Sequence, residues 1–387
     1  MVEVYLDNAA TTPVAPAVIE RMTHVLTHVY GNPSSVHRKG IEAERVVTAA
    51  RRQVAQALGA DPADVIFTSG GTEANGLAIL GAARARMRRR PHIITGQTEH
   101  SSVLNACRLL EGDGFAVTYL PVDKAGRITV DDVLAHLRED TALVSLMWVN
   151  NEVGTVHPVA EIAAAVKERS PETLVHVDGV QALGKLPINV KELPIDLLSV
   201  SAHKIHGPKG VGALWVRPGV RIVSILGGGS QERGLRPGTE NVAGIAGFGV
   251  AAEAAVADLP RAAAHMARLR ERLWEGIQAR VPWAVRNTPV EPAHCAPHIL
   301  NVSFPGLKGE VLVHSLAEEG IYVSTGSACS SRRTGHSHVL TAMGLSEAAA
   351  GGALRLSLSA WTTEADVERA AARIGVVAAE LLELVQG

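Results

Sequence analysis

Short apolar runs alternate with helical patterns between residues 65 and 216, and this alternation limits the fold more than any other feature. The runs at 65–68, 92–95, 116–120, 143–149, 174–177, 195–200 and 211–216 are short and rich in Val, Ile and Leu, as buried strands are. Helical spacing fills the gaps at 72–87, 101–110, 130–137 and 159–168. Strands that read as continuous apolar runs are covered on both faces, which points to a mostly parallel sheet between helices. The expected class is α/β.

On the N-terminal side, 14–29 and 36–58 read as helices separated by Gly31-Asn32-Pro33-Ser34-Ser35, with Gly59 as the second stop. On the C-terminal side, Ala-rich spacing from 242 to 281, much of it one long helix, leads to a smaller α/β unit with strands near 299–304, 321–324 and 354–358. A chain of 387 residues exceeds what one core usually serves. We therefore expect a large domain over 15–258 and a small one built from 1–14 and 259–387.

A composition of 47% hydrophobic and 20% charged residues excludes disorder. A formal charge of −2 gives no global attraction to nucleic acid or to an anionic membrane, and neither is an expected partner. Three cysteines (Cys107, Cys295, Cys329) do not make a disulfide framework and suggest a reducing compartment. The first seven residues lack the basic start and apolar core of a signal peptide, and no apolar stretch approaches the roughly 18 residues of a spanning helix. Cytoplasmic localisation is the expectation.

In an open parallel sheet, ligands sit beyond the carboxyl ends of the strands. That rule collects the polar residues of interest: Ser69-Gly70-Gly71-Thr72-Glu73, Glu99-His100, Asn150-Asn151-Glu152, Asp178-Gly179-Val180-Gln181, and residues 201–210, Ser-Ala-His-Lys-Ile-His-Gly-Pro-Lys-Gly. The glycine pair with Thr72 at a strand-to-helix turn suits a phosphate, although it is neither a Walker motif nor Gly-x-Gly-x-x-Gly. Asp178 at the end of a buried strand needs a cationic or hydrogen-bonding partner. By itself Lys204 reads first as a solvated turn lysine. Together, a phosphate cradle, a carboxylate for a protonated ring nitrogen and an amine able to form a Schiff base are the three anchors of pyridoxal 5′-phosphate.

The motifs agree. Tyr-Leu-Asp-Asn-Ala-Ala-Thr-Thr-Pro (5–13), Gly-Asn-Pro-Ser-Ser (31–35), Phe-Thr-Ser-Gly-Gly-Thr-Glu (67–73), Thr-Glu-His (98–100), Val-Asn-Asn-Glu (149–152), His-Val-Asp-Gly-Val-Gln (176–181) and Ser-Ala-His-Lys (201–204) resemble the class V aminotransferase superfamily. Arg-Pro-Gly-Thr-Glu-Asn (236–241) and Ser-Thr-Gly-Ser-Ala-Cys-Ser (324–330) narrow the resemblance to cysteine desulfurases of the NifS/IscS type. It runs nearly end to end. It implies the pyridoxal-phosphate-dependent transferase fold type I, with a seven-stranded sheet in the large domain and the catalytic-cysteine loop in the small one.

The resemblance also implies roles. Lys204 would hold the cofactor covalently and move the Cα proton, Asp178 would pair with the ring nitrogen, Gln181 would bond the ring oxygen, and His100 would stack on the ring and act in proton transfer. Gly71, Thr72, Ser201 and His203 would hold the phosphate. Thr239 would reach it from the neighbouring subunit, implying a homodimer. Asn151 and Arg355 would receive the substrate carboxylate. Cys329, with Arg332 and Arg333 just after it to favour a thiolate, would take sulfur from L-cysteine as a persulfide, release L-alanine and pass the sulfur to acceptors such as an iron–sulfur scaffold or a thiolation system. No metal site is expected: Cys295 beside His294 and His298 lacks a second ligand pair.

Two departures stand out. Relatives commonly have Gly-Arg where this chain has Ser359-Ala360 before Trp361, and Leu-Glu-Pro where it has Ser331-Arg332-Arg333. His206 has no assigned role. The rival activities are selenocysteine lyase or a small-amino-acid transaminase, the latter needing no thiol; a non-catalytic scaffold would not need Lys204, Asp178 and His100.

Overall fold

The structure is a computed structural model that describes residues 3–326 and 337–386. Strand β1 (Val4–Tyr5) is followed by helices α1 (Pro16–His28) and α2 (Arg38–Leu58). Gly59 stops α2 in the left-handed region at φ 66°, its N–H returning to Ala55 and Gln56 carbonyls, a conformation that costs glycine least. The alternating stretch then gives β2 (Val65–Thr68), α3 (Gly71–Arg84), β3 (His92–Gly96), α4 (Ser101–Gly112), β4 (Ala116–Leu120), α5 (Val130–His136), β5 (Thr141–Met147), α6 (Val159–Arg169), β6 (Leu174–Asp178), β7 (Leu197–Ser201) and β8 (Gly212–Val216).

These seven strands form one sheet in the order β2-β8-β7-β6-β5-β3-β4. All neighbours pair in parallel except β8, which is antiparallel to both β7 and β2. Two antiparallel steps restore direction, so Thr68 lies at the same sheet edge as the carboxyl ends of β3, β5, β6 and β7. The two-residue period of a strand divides the core. Val65 and Phe67 face Val54 of α2 and Phe248 in one cluster, whereas Ile66 faces Leu77 of α3 and Val103 of α4 in another. The expected seven-stranded, mostly parallel sheet is what the chain forms.

The stretch after β8 departs from expectation. Instead of one long helix there are two, α7 (Val242–Ala257) and α8 (Leu259–Arg280), bent by 75° at Asp258. Pro260 supplies no N–H for the carbonyl four residues back, and its ring crowds that carbonyl, so the helical ladder breaks there. Among the described residues no single helix is long and apolar enough to cross a membrane.

The remaining elements are β9 (Val285–Arg286), β10 (Ile299–Ser303), α9 (Gly309–Glu318), β11 (Ile321–Tyr322), α10 (His338–Ala342), α11 (Glu347–Gly351), β12 (Ala353–Ser357) and α12 (Glu364–Gln386). A three-stranded antiparallel sheet, β12-β10-β9, packs with α8 and α12 around Leu273, Ile277, Leu300, Leu356 and Ile374. β1 pairs in parallel with β11, and Asp7 bridges to Ser357. The chain start is therefore bound to the second core before it crosses to the first at Ala9 and Ala10.

Candidate active site

A cavity of about 200 Å³ opens at the carboxyl edge of the seven-stranded sheet. Gly71, Thr72, His100, Asn151, Asp178, Gln181, Ser201, His203, Lys204 and Arg355 all line it. Ten residues singled out from sequence thus meet in one place, supplied by five strand ends of the large sheet and by β12 of the small one. Thr239 is exposed and does not line this cavity. Cys329, with Arg332 and Arg333, lies outside the described residues.

Lys204 ends the single turn after β7. Its Nζ donates to the carbonyls of Ala9 (2.7 Å) and Ala10 (2.6 Å), so the segment that starts on the second core closes over the lysine. Gln181 Nε2 donates to the same Ala9 carbonyl at 2.9 Å, and its Oε1 faces His298 Nε2 at 3.2 Å. Thr12 holds the turn from below, its N–H and Oγ1 both donating to the His203 carbonyl.

Asp178 is buried. Its Oδ1 accepts the Val180 N–H at 3.0 Å and its Oδ2 accepts Asn75 Nδ2 at 2.7 Å. Asn75 Nδ2 also donates to Ser102 Oγ at 2.9 Å, and Ser102 Oγ lies 2.8 Å from His100 Nδ1. The Ser102 backbone N–H donates to that same Nδ1. Nδ1 is therefore an acceptor and the ring proton sits on Nε2. Burial lowers the His100 pKa against the opposing pull of Asp178, and Lys204 adds a smaller lowering contribution. Neither Asn75 nor Ser102 was singled out from sequence. Asn75 stands three residues after Thr72, on the same helix face, which was the available signal.

The glycine pair lies at the turn from β2 into α3. Gly70 adopts φ 153° and α3 begins without a side-chain cap, leaving first-turn N–H groups for a ligand. A Cβ at Gly71 would lie 2.7 Å from Val180 Cγ2. Ser201 Oγ is buried and without a partner, and burial followed by the charges of Lys204 and Lys209 pushes His203 down to about 3. Uncapped amides, an orphaned hydroxyl and a neutral imidazole fit a phosphate, and the carboxylate and amine opposite fit the rest of pyridoxal phosphate. Glu73, next to the cradle, accepts from the Ser69 hydroxyl and from Arg236 Nε at 2.9 Å. That ion pair ties the Arg-Pro-Gly-Thr loop carrying Thr239 to α3.

Arg355 is fully buried on β12. Nη2 donates to Asp7 Oδ1 at 2.7 Å and Nη1 to the Asn151 carbonyl at 3.0 Å, while Nε has no partner. A buried guanidinium fixed on one side and open on the other suits a carboxylate. Glu152, also buried, accepts from Ser337 Oγ, and a Cβ at Gly326 would come 3.1 Å from its Oε2. Of the other cysteines, Cys107 is fully buried in the α3–α4 core, and burial pushes its thiol up to about 12. Cys295 is buried and its thiol is also raised, chiefly by burial.

Comparison with known proteins narrows the chemistry. The class-V aminotransferase family matches residues 4–370. A cysteine desulfurase IscS of Clostridium botulinum is 45% identical over 366 residues, covering 95% of this chain and 92% of the relative. A cysteine desulfurase of Nostoc sp. is 48% identical, covering 95% and 90%. The solved structure of a NifS-like protein superposes with a TM-score of 0.92 at 42% identity, covering 98% of this chain and all of that one. A structure described as SspA in complex with cysteine gives 0.82 at 37%, covering 93% of this chain and all of that one. The family implies dependence on pyridoxal phosphate. By sequence, by fold and by the convergence of its motif residues on one cavity, the chain belongs to the class-V aminotransferase family and, within it, to the cysteine desulfurases of the NifS/IscS type.

Proposed function

We propose that this protein is a cysteine desulfurase that converts L-cysteine to L-alanine and a persulfide on Cys329. The observation that carries the reading is the meeting of Lys204, Asp178, His100 and the Ser201–Gly71 cradle in one cavity, within a chain whose relatives bear that name. Lys204 would hold pyridoxal phosphate covalently, Asp178 and Gln181 would contact its ring, and Gly71, Thr72, Ser201 and His203 would contact its phosphate. When bound, the cofactor supplies a ring that spreads the negative charge developing on the substrate.

The protein's own groups then divide the work. Arg355 and Asn151 orient the substrate carboxylate. Lys204 Nζ would move a proton at Cα, and the Nε2–H of His100 would supply a second proton-transfer position. The Asn75–Ser102 pair sets that tautomer. Cys329 attacks the substrate sulfur as thiolate: the Cβ–S bond breaks, an S–S bond forms, and Cβ takes a proton to leave alanine. Thr239, exposed in the single chain, would reach the phosphate site of a second copy, as the family resemblance implies, and the working form would be a homodimer. We assign 15–258 to the cofactor-binding domain, 1–14 and 259–387 to the domain carrying Cys329, and the enzyme to the cytoplasm, delivering sulfur to an iron–sulfur scaffold or a thiolation system.

Cys329→Ala tests this directly. The variant should keep the absorbance of the bound cofactor and lose sulfide release from L-cysteine under reductant; sulfide formed at the parental rate would refute the persulfide.

A further inference from the structure

A second cavity, of about 500 Å³, lies behind the Lys204 turn, between α7 and α8 where the chain bends. Its size is within the roughly 300–1,000 Å³ usual for small-molecule sites. None of the residues lining the first cavity lines it, although Ile205 and His206 of the Lys204 turn and Ala360 and Trp361 do. Its walls are mainly apolar: Ala15, Ile205, Ala251, Ala255, Met266 and Trp361.

One buried charge faces this apolar space. Lys185 is 8% exposed, and its Nζ makes a single long hydrogen bond, 3.3 Å to the Lys204 carbonyl. Among the described residues it has no carboxylate partner. The acid at the rim, Asp258, is already paired with Arg261, and both are exposed. The two imidazoles of the cavity are tied to backbone carbonyls. His206 Nδ1 bonds the Pro13 carbonyl at 2.9 Å and its ring stacks on Trp361 at 3.7 Å. His265 Nε2 bonds the Thr362 carbonyl at 2.8 Å.

A buried ammonium with spare N–H donors and no counter-charge is costly unless an anion joins it. One cation in an apolar chamber calls for one negative charge on an apolar body; a dianion would find too few donors. We propose that this rear cavity binds a small monocarboxylate with a branched aliphatic body, its carboxylate paired with Lys185. The site is separate from the cysteine site, and the proposal does not depend on the activity assigned there.

Isovalerate serves as the probe, titrated into the full-length protein with its cofactor and followed by calorimetry. We expect saturable binding at one site per chain, undisturbed by saturating L-alanine. Lys185→Met should weaken it by at least about tenfold, the scale of a lost charge-assisted contact. Ala254→Phe, at the exposed rim, should weaken it similarly by covering the mouth, and decides the matter if Lys185→Met does not fold. Absence of binding, unchanged affinity in both variants, or displacement by L-alanine would overturn the proposal.

Discussion

Two lysines 19 residues apart stand on opposite sides of one turn, joined by the bond from Lys185 Nζ to the Lys204 carbonyl. Lys204 points into a cavity where Ala9 and Ala10 carbonyls accept its protons and where Asp178, His100 and Ser201 are gathered. Lys185 faces alanines, an isoleucine and a stacked His–Trp pair. The first is surrounded by groups that bind, orient and move protons. The second has burial without compensation, which lowers its pKa to about 8. A buried lysine is thus not by itself a sign of covalent catalysis; the polar company decides what it does.

The largest expected effect separates the two sides. Lys204→Ala should lower alanine formation from L-cysteine by on the order of 10²–10⁴-fold or more, the scale of a lost proton-transfer group. The same variant should bind isovalerate with parental affinity, because Lys185 uses the backbone carbonyl of residue 204. Loss of both properties would mean that the cavities form one site.

A smaller effect comes from the rear lysine's protonation. Its folded pKa of about 8 lies below the ordinary 10.5, so between these pH values the unfolded chain binds more protons than the folded one. Stability should therefore rise with pH across that window, by up to about 3 kcal/mol for a fully buried group. His206, pushed by burial to about 4, and His298, also well below its usual range, stay neutral throughout. Denaturant unfolding at pH 8 and pH 10.5 should show parent minus Lys185→Met rising by that order; an identical pH slope in the two proteins would deny the buried charge.

The smallest effect concerns the wall of the rear cavity. Trp361→Ala removes the ring stacked on His206, and about 0.5–1.5 kcal/mol of stability should go with it. Equal unfolding midpoints would show that the stack adds nothing. His206 itself sits at φ 62°, held there by its N–H to Thr12 Oγ1 at 2.7 Å and its ring bond to Pro13. The residue without an assigned role in the sequence is thus a fastener between the turn and the start of the chain.

Much of the front cavity was legible because its parts are local. A buried strand ends in a turn, a glycine pair starts a helix, and both signals lie within a few residues; Gly71, Thr72, Asp178 and Lys204 were read that way. Their supports were not, because they come from elsewhere in the chain. Asn75 meets Asp178 across 103 residues and Asp7 meets Arg355 across 348. The break at Asp258 was missed because Ala-rich spacing outweighed Pro260 in the reading of a long helix.

By itself, then, the order of residues determined the sheet and the edge on which chemistry collects, since hydrophobic period and turn chemistry act over short spans, while Arg355 and the roles of the other site residues came through the family resemblance. Only the tertiary structure decided which tautomer His100 carries, what holds Asp178 and Arg355, and that a second lysine lies buried behind the first. Those outcomes depend on burial and on pairs of groups far apart in the chain, and no local pattern encodes either.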